Sequence, residues 1–127
     1  MTKTGDYVEG KGIYAGEIRD SMGENPKQLF VALKDLPYRK DWDKAVNYKY
    51  KNGYKLPDIR ELSQIYHYKE AINKGLVDNG GEKFKNDWYW SSTEYGNGYA
   101  WLLRFSSGNR YASGKYGTDY VRPVLAL

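Results

Sequence analysis

In KGIYAGEIRD (residues 11–20), Ile13, Ala15 and, more loosely, Ile18 alternate with polar neighbours, the two-residue period of a half-buried strand. KQLFVALKDL (residues 27–36) carries the unbroken apolar run Leu29-Phe30-Val31-Ala32-Leu33 and reads as a second, more buried strand. Gly23 and Pro26 lie between them and predict a turn, so the pair reads as a β-hairpin behind a polar N-terminal arm.

The period then changes. In KDWDKAVNYKYKNGY, Trp42, Ala45, Val46 and Lys49/Tyr50 fall on one helical face, with Asp41 placed to cap the start and Gly53 to end it. LPDIRELSQIYHYKEAINKG predicts a second helix. Pro57 precedes it, Asp58 and Glu61 form a capping-box pair, and Ile59, Leu62, Ile65 and Tyr66 make the apolar stripe. That pattern allows a break near Tyr68 before Gly75 stops the helix, after which VDNGGEKFKND reads as a loop.

From Trp88 onward WYWSST, YAWLLRFS, NRYAS and DYVRPVLAL read as short strands between glycine-rich turns. Alternation in AWLLRF sets Trp101, Leu103 and Phe105 on one face and Leu102 and Arg104 on the other, which is expected to meet solvent. Hairpin, two helices and a β-rich end in that order predict an α+β chain, with two helices flanking an antiparallel sheet. The whole chain, 1–127, reads as a single domain without repeats or linkers.

Composition narrows the chemistry. There is no cysteine, which removes disulfides, thiolate metal sites and a Cys nucleophile, and the single histidine, His67, leaves no Ser/His/Asp arrangement to defend. A lone helical histidine reads as a partly exposed side chain rather than a ligand. No catalytic residue is assigned, and an enzyme is not expected. Asp78, Glu82 and Asp87 offer hard oxygen ligands for calcium, but at a spacing that fits no calcium loop; no metal or other cofactor is assigned. The net charge of +4 comes from 20 basic and 16 acidic residues with no basic run longer than two, so nucleic acid is not the expected partner. No apolar run approaches the length of a membrane span, and the first residues lack the apolar stretch of a signal peptide. No location follows: display on a virion, display through a partner and an intracellular role all stay open.

The aromatic content does change the picture: 17%, with 14 Tyr and four Trp, more tyrosine than a core of this size needs. Exposed tyrosine is a contact residue, with large area, few rotors and one hydroxyl. Residues 95–120 hold five Tyr, five Gly, three Ser and two Asn, with one lysine and no glutamate; residues 1–94 hold 13 Lys and seven Glu.

DWDKAVNYKYKNGYKLPDIREL, followed by YWSST, AWLLRFSSG and YVRPV, resembles the Lcl C-terminal domain family across roughly residues 28–125. The matching positions include Trp42, Pro57, Trp90, Ser91, Ser92, Thr93, Trp101, Gly108, Arg122 and Pro123. The chain departs from the family pattern in having YKLP where a Trp-Arg-Leu-Pro run is usual, and Leu125 where an arginine often stands. The resemblance implies a C-type-lectin-like fold, in which Trp42, Pro57, Trp90, Trp101 and Arg122 serve the scaffold. Enzymes that build formylglycine share the broad fold, but their oxidase chemistry needs cysteines that are missing here.

Family members include adhesins, phage proteins and the variable proteins of diversity-generating retroelements, which mutate adenines in AAC or AAT codons. Such codons, once varied, end in a pyrimidine and never encode Lys, Glu, Gln, Met or Trp. In residues 95–120 only Trp101 and Lys115 lie outside that set. The resemblance therefore implies a ligand-binding surface for protein or glycan targets. The candidates to form it are Tyr95, Asn97, Tyr99, Leu102, Arg104, Ser106, Asn109, Arg110, Tyr111, Ser113, Tyr116, Thr118 and Asp119. Tyr120 reads either with that surface or as the start of the last core strand. A fixed-sequence phage or cell-surface module of the same fold is the alternative.

Overall fold

The computed structural model describes all 127 residues. Seven strands and three helices form two antiparallel sheets, so the chain is α+β, with two sheets where the sequence pattern predicted one. The first sheet has the order β1-β2-β3-β7 from Tyr7–Val8, Gly12–Ile18, Lys27–Val31 and Val124–Ala126; the second has the order β4-β5-β6 from Trp88–Glu94, Tyr99–Arg104 and Arg110–Gly114. The predicted hairpin is β2–β3, paired from Ile13↔Val31 to Ile18↔Lys27 with a register shift between Tyr14 and Glu17. The last strand, β7, returns to pair with β3 and forms the edge of that sheet opposite β1.

Helix α1 (Trp42–Val46) is much shorter than its stripe predicts. Asp41 caps it by accepting from the Lys44 N–H, but it ends at Asn47. Asn52 and Gly53 then both take positive φ (58° and 82°), the geometry of a tight type I′-like turn closed by Tyr54 N–H on the Lys51 carbonyl. Gly53 is thus a turn residue rather than a helix stop.

The second predicted helix is two, α2 (Ile59–His67) and α3 (Lys69–Asp78), broken at Tyr68. Both arms of the Asp58/Glu61 capping box form, at 2.8 Å each. Gly75 does not end α3; it is buried inside it, where a Cβ would stand 2.1 Å from the Gly5 carbonyl oxygen. A local stop signal is in fact a close approach between helix and N-terminal arm.

Two apolar clusters result. The larger takes Ile13, Leu29 and Val31 from the first sheet, Leu62, Ile65, Ile72 and Leu76 from the helices, and Tyr89, Leu103 and Phe105 from the second sheet. The smaller holds Trp42, Ala45, Leu56, Trp90, Ala100, Leu102 and Val121. Because Leu103 belongs to one and Leu102 to the other, the β4-β5-β6 sheet is covered on both faces over its centre. Leu102, expected to face solvent, is only 4% exposed, so it is not a contact residue. No helix is long and apolar enough to cross a membrane.

Candidate functional site

The frame beneath residues 95–120 is fixed by polar groups reaching across long sequence separations. Arg122 is fully buried and spends its guanidinium on Asp35 Oδ1 (2.7 Å) and the carbonyls of Ala32 (3.1 Å) and Glu82 (2.8 Å). Asp35 Oδ2 also accepts from Lys85 Nζ and from the Tyr89 hydroxyl, each at 2.9 Å. A planar fork suits such a site because its five donors meet several acceptors at once. Burial and the adjacent Asp35 carboxylate push the Tyr89 hydroxyl well above the ordinary phenol range, and so it stays protonated and donates.

The Trp and Ser/Thr positions act in the same way. Trp42 Nε1 donates to the Ser91 carbonyl (2.9 Å), and Trp90 Nε1 to the Lys40 carbonyl (2.8 Å). The Ser91 hydroxyl donates to the Trp101 carbonyl (2.7 Å), and Thr93 Oγ1 accepts the Ile59 N–H at the start of α2 (2.9 Å). Pro57 is buried and its carbonyl receives the Ser92 N–H, tying β4 to the entry of α2. Trp101 is half-buried beside the larger cluster, with Tyr95 packed edge-on at 5.2 Å.

On this frame the segment forms two turns, two strands and a loop. The β4–β5 turn exposes Tyr95 and Asn97, and β5 begins with exposed Tyr99. Arg104, at the far end of β5, is exposed, as are Ser106 and Asn109 in the following turn. Edge strand β6 opens with exposed Arg110 and Tyr111 and continues to half-buried Ser113. Tyr116, 95% exposed, and Thr118 lead to half-buried Asp119. Tyr120 is half-buried, its ring 5.8 Å from Tyr89, and its backbone bonds to both Trp88 and Trp90; it belongs with the core.

The segment's own anchors stand out against these. Lys115, with 16% of its side chain exposed, bonds Glu94 (2.8 Å) and the Asn97 carbonyl (3.1 Å), and sits 4.3 Å from the centre of the Trp42 ring. Gly108 has φ +79° and faces Tyr66, where a Cβ would approach ring carbons to 2.5 Å. Lys69 Nζ holds the same turn through the Phe105 carbonyl at 2.9 Å.

Two contributors lie outside the segment. Trp88 pairs with Arg104 across β4–β5; its ring has the Arg104 guanidinium 5.8 Å away and Tyr111 6.1 Å away. The alternation that marks WYWSST as a strand carried this position, but not its proximity to Tyr111. The loop before α1 also abuts the segment, since Lys40 and Asp119 exchange backbone hydrogen bonds of 2.9 and 3.0 Å. Burial raises the Asp119 carboxyl to about 6, with nearby Asp87 adding to the rise and Arg39 opposing it.

The calcium trio does not assemble. Asp78 pairs with Lys74, Glu82 accepts the Asp35 N–H, Asp87 accepts the Trp88 N–H, and no three His, Cys, Asp or Glu side chains come together as a metal site. His67 stacks edge-on against Tyr68 at 4.7 Å.

A sheet covered on both faces at its centre, with exposed Tyr, Asn, Ser and Arg on its turns, its strand ends and its β6 edge, defines an α+β scaffold with a polar-aromatic surface. The chain belongs to the Lcl C-terminal domain family, whose sequence model matches residues 32–125. No curated protein matches it.

Proposed function

We propose that this protein is a non-catalytic receptor. Its C-type-lectin-like scaffold holds the surface of residues 95–120 toward protein or glycan targets, and adenine-directed mutagenesis by a retroelement varies that surface. One observation carries the reading. Within the segment, the two residues that varied pyrimidine-ending codons cannot encode, Trp101 and Lys115, are packed into the scaffold, whereas Tyr95, Asn97, Tyr99, Arg104, Tyr111 and Tyr116 are exposed. Tyrosine supplies contact area with few rotors, and Ser, Gly and Asn supply adaptable hydrogen bonds, on a frame that the variation leaves untouched. A non-catalytic role fits a chain with one histidine and no cysteine.

The DNA flanking the gene tests this. The expected result is a near-copy of the segment's coding sequence beside a reverse transcriptase gene. It should differ mainly at adenines in the codons of the exposed residues, and not in those of Trp101, Gly108 or Lys115. If no copy is found, the retroelement reading falls and a fixed-sequence adhesion or structural module of the same scaffold takes its place.

A further inference from the structure

The chain's excess positive charge is not spread over it. Residues 38–55 contain six basic and two acidic side chains, and the rest of the chain holds 14 of each. The whole net charge of +4 therefore sits in one 18-residue stretch. Short basic runs concealed this in the sequence, because Lys and Tyr alternate in YKYKNGYK rather than clustering.

The fold sets four of the six basic residues, Lys40, Lys44, Lys49 and Lys51, around Tyr48, while Lys55 turns to Glu61 and Arg39 to the Tyr120 ring. On one side Lys40, Asp43, Lys44 and Tyr48 line a shallow depression. On the other a cleft of about 260 Å³ is lined by Leu36, Tyr48, Tyr50, Tyr54 and Pro123, with Lys49 and Lys51 also at its wall. Lys40, Lys44, Lys49 and Lys51 take part in none of the molecule's salt bridges. Asp41 is occupied as the α1 cap, so Asp43 is the one carboxylate bordering the depression. Two residues before Lys40, Tyr38 holds φ +60° with 87% of its surface exposed, a costly backbone state for an aromatic residue.

We infer that this face docks an acidic polypeptide segment, which seats an apolar or aromatic side chain in the Tyr48–Tyr54 cleft and sets its carboxylates against the four lysines. Charge complementarity selects an anionic partner. The apolar cleft favours a peptide over a nucleic acid, because the rings are not free stacking platforms. Lys40 lies 5.5 Å over Tyr48, Tyr50 meets Tyr48 edge-on at 5.0 Å, and the Tyr50 hydroxyl is committed to the Ala45 carbonyl. None of these residues belongs to the 95–120 segment, and the inference holds whether or not that segment varies.

Fluorescence anisotropy on the full chain tests it, with a labelled Glu/Tyr copolymer as probe. A Glu/Ala copolymer, oligothymidylate and dextran sulfate of similar charge serve as comparisons. The Glu/Tyr copolymer should bind about tenfold more tightly than Glu/Ala. The variant Lys44→Gln/Lys49→Gln/Lys51→Gln should weaken it by about tenfold or more and flatten its salt dependence. Tyr48→Ser should erase the preference for Tyr over Ala in the probe. Circular dichroism and thermal unfolding verify that these surface variants are folded. No binding, binding indifferent to the lysine changes, or tighter binding of oligothymidylate or dextran sulfate overturns the inference.

Discussion

Strands β5 and β6 lie side by side in one sheet, draw on the same Tyr/Ser/Gly-rich stretch, and meet opposite fates. Strand β5 is central, paired to β4 and β6, and Ala100, Leu102 and Leu103 are buried against two different clusters. Strand β6 is an edge, with Arg110 and Tyr111 exposed and Ala112, Ser113 and Gly114 half-covered. Leu102 and Tyr111 are direct cross-strand partners on the same face, so neither alternation nor composition separates them. What separates them is where the covering layer stops: Trp42, Leu56 and Val121 lie in the cluster with Leu102, while Tyr111 lies outside it, exposed, with the half-buried Trp88 ring 6.1 Å away. On this sheet, then, the difference between Leu102 and Tyr111 follows from the central and edge positions of their strands, and about half of residues 95–120 are buried or half-buried.

The contrast is sharpest as a pair of substitutions. Leu102→Ala should destabilise the fold by about 2–5 kcal/mol through lost burial and a residual cavity. Tyr111→Ala, directly opposite, should change it by about 0.5 kcal/mol or less. Urea unfolding of both measures the difference, and equal effects would break the distinction between centre and edge.

Next comes the turn that joins the two strands. Gly108→Ala combines a left-handed backbone with a clash at the Tyr66 ring. It should cost about 1–3 kcal/mol, whereas Ser106→Ala in the same turn should be near neutral. Thermal unfolding of the two variants reads this directly.

Lys115→Ala removes the pair with half-exposed Glu94 and the contact with Trp42. The expected loss is about 1 kcal/mol, most of it from the ring contact, since exposed ion pairs contribute little. Unfolding at low and high salt separates the two parts, because only the ion pair is strongly screened.

The smallest effect concerns Asp119. Its folded-state value of about 6 lies above the ordinary 3.8. Between those values the folded chain holds more protons than the unfolded one, and so this carboxyl makes stability fall as pH rises from 4 through 6. Asp119→Asn should remove that slope, with equal stability at pH 4 and a gain at pH 8 held below about 1 kcal/mol by solvent screening of a half-exposed group. Urea midpoints at the two pH values test the sign.

Local signals were legible wherever cause and effect lie within a turn or two of chain. The Asp58/Glu61 box, the Asp41 cap, the β2–β3 hairpin and the break at Tyr68 each depend on residues a few positions apart. Gly53 was misread within its own four-residue turn, but two other misreadings share one cause, a partner distant in sequence. Gly75 reads as a stop but is small because Gly5 passes beside it, 70 positions away. Leu102 reads as a surface residue because nothing in AWLLRF announces the second cluster. The exposed tyrosines in 95–120 were legible as a composition, yet which of the segment's residues the scaffold keeps was not.

By itself, then, the sequence determined the α+β class, the Asp41 and Asp58 helix starts, the family and the change of alphabet after Glu94, because propensity, capping and composition are properties of neighbours along the chain. Tertiary structure alone decided that there are two sheets, that the second is buried on both faces at its centre, and that Leu36 and Pro123 join Tyr48, Tyr50 and Tyr54 around one cleft. Burial and field depend on what approaches from elsewhere in the chain, and no periodicity within a strand records what will cover its other face.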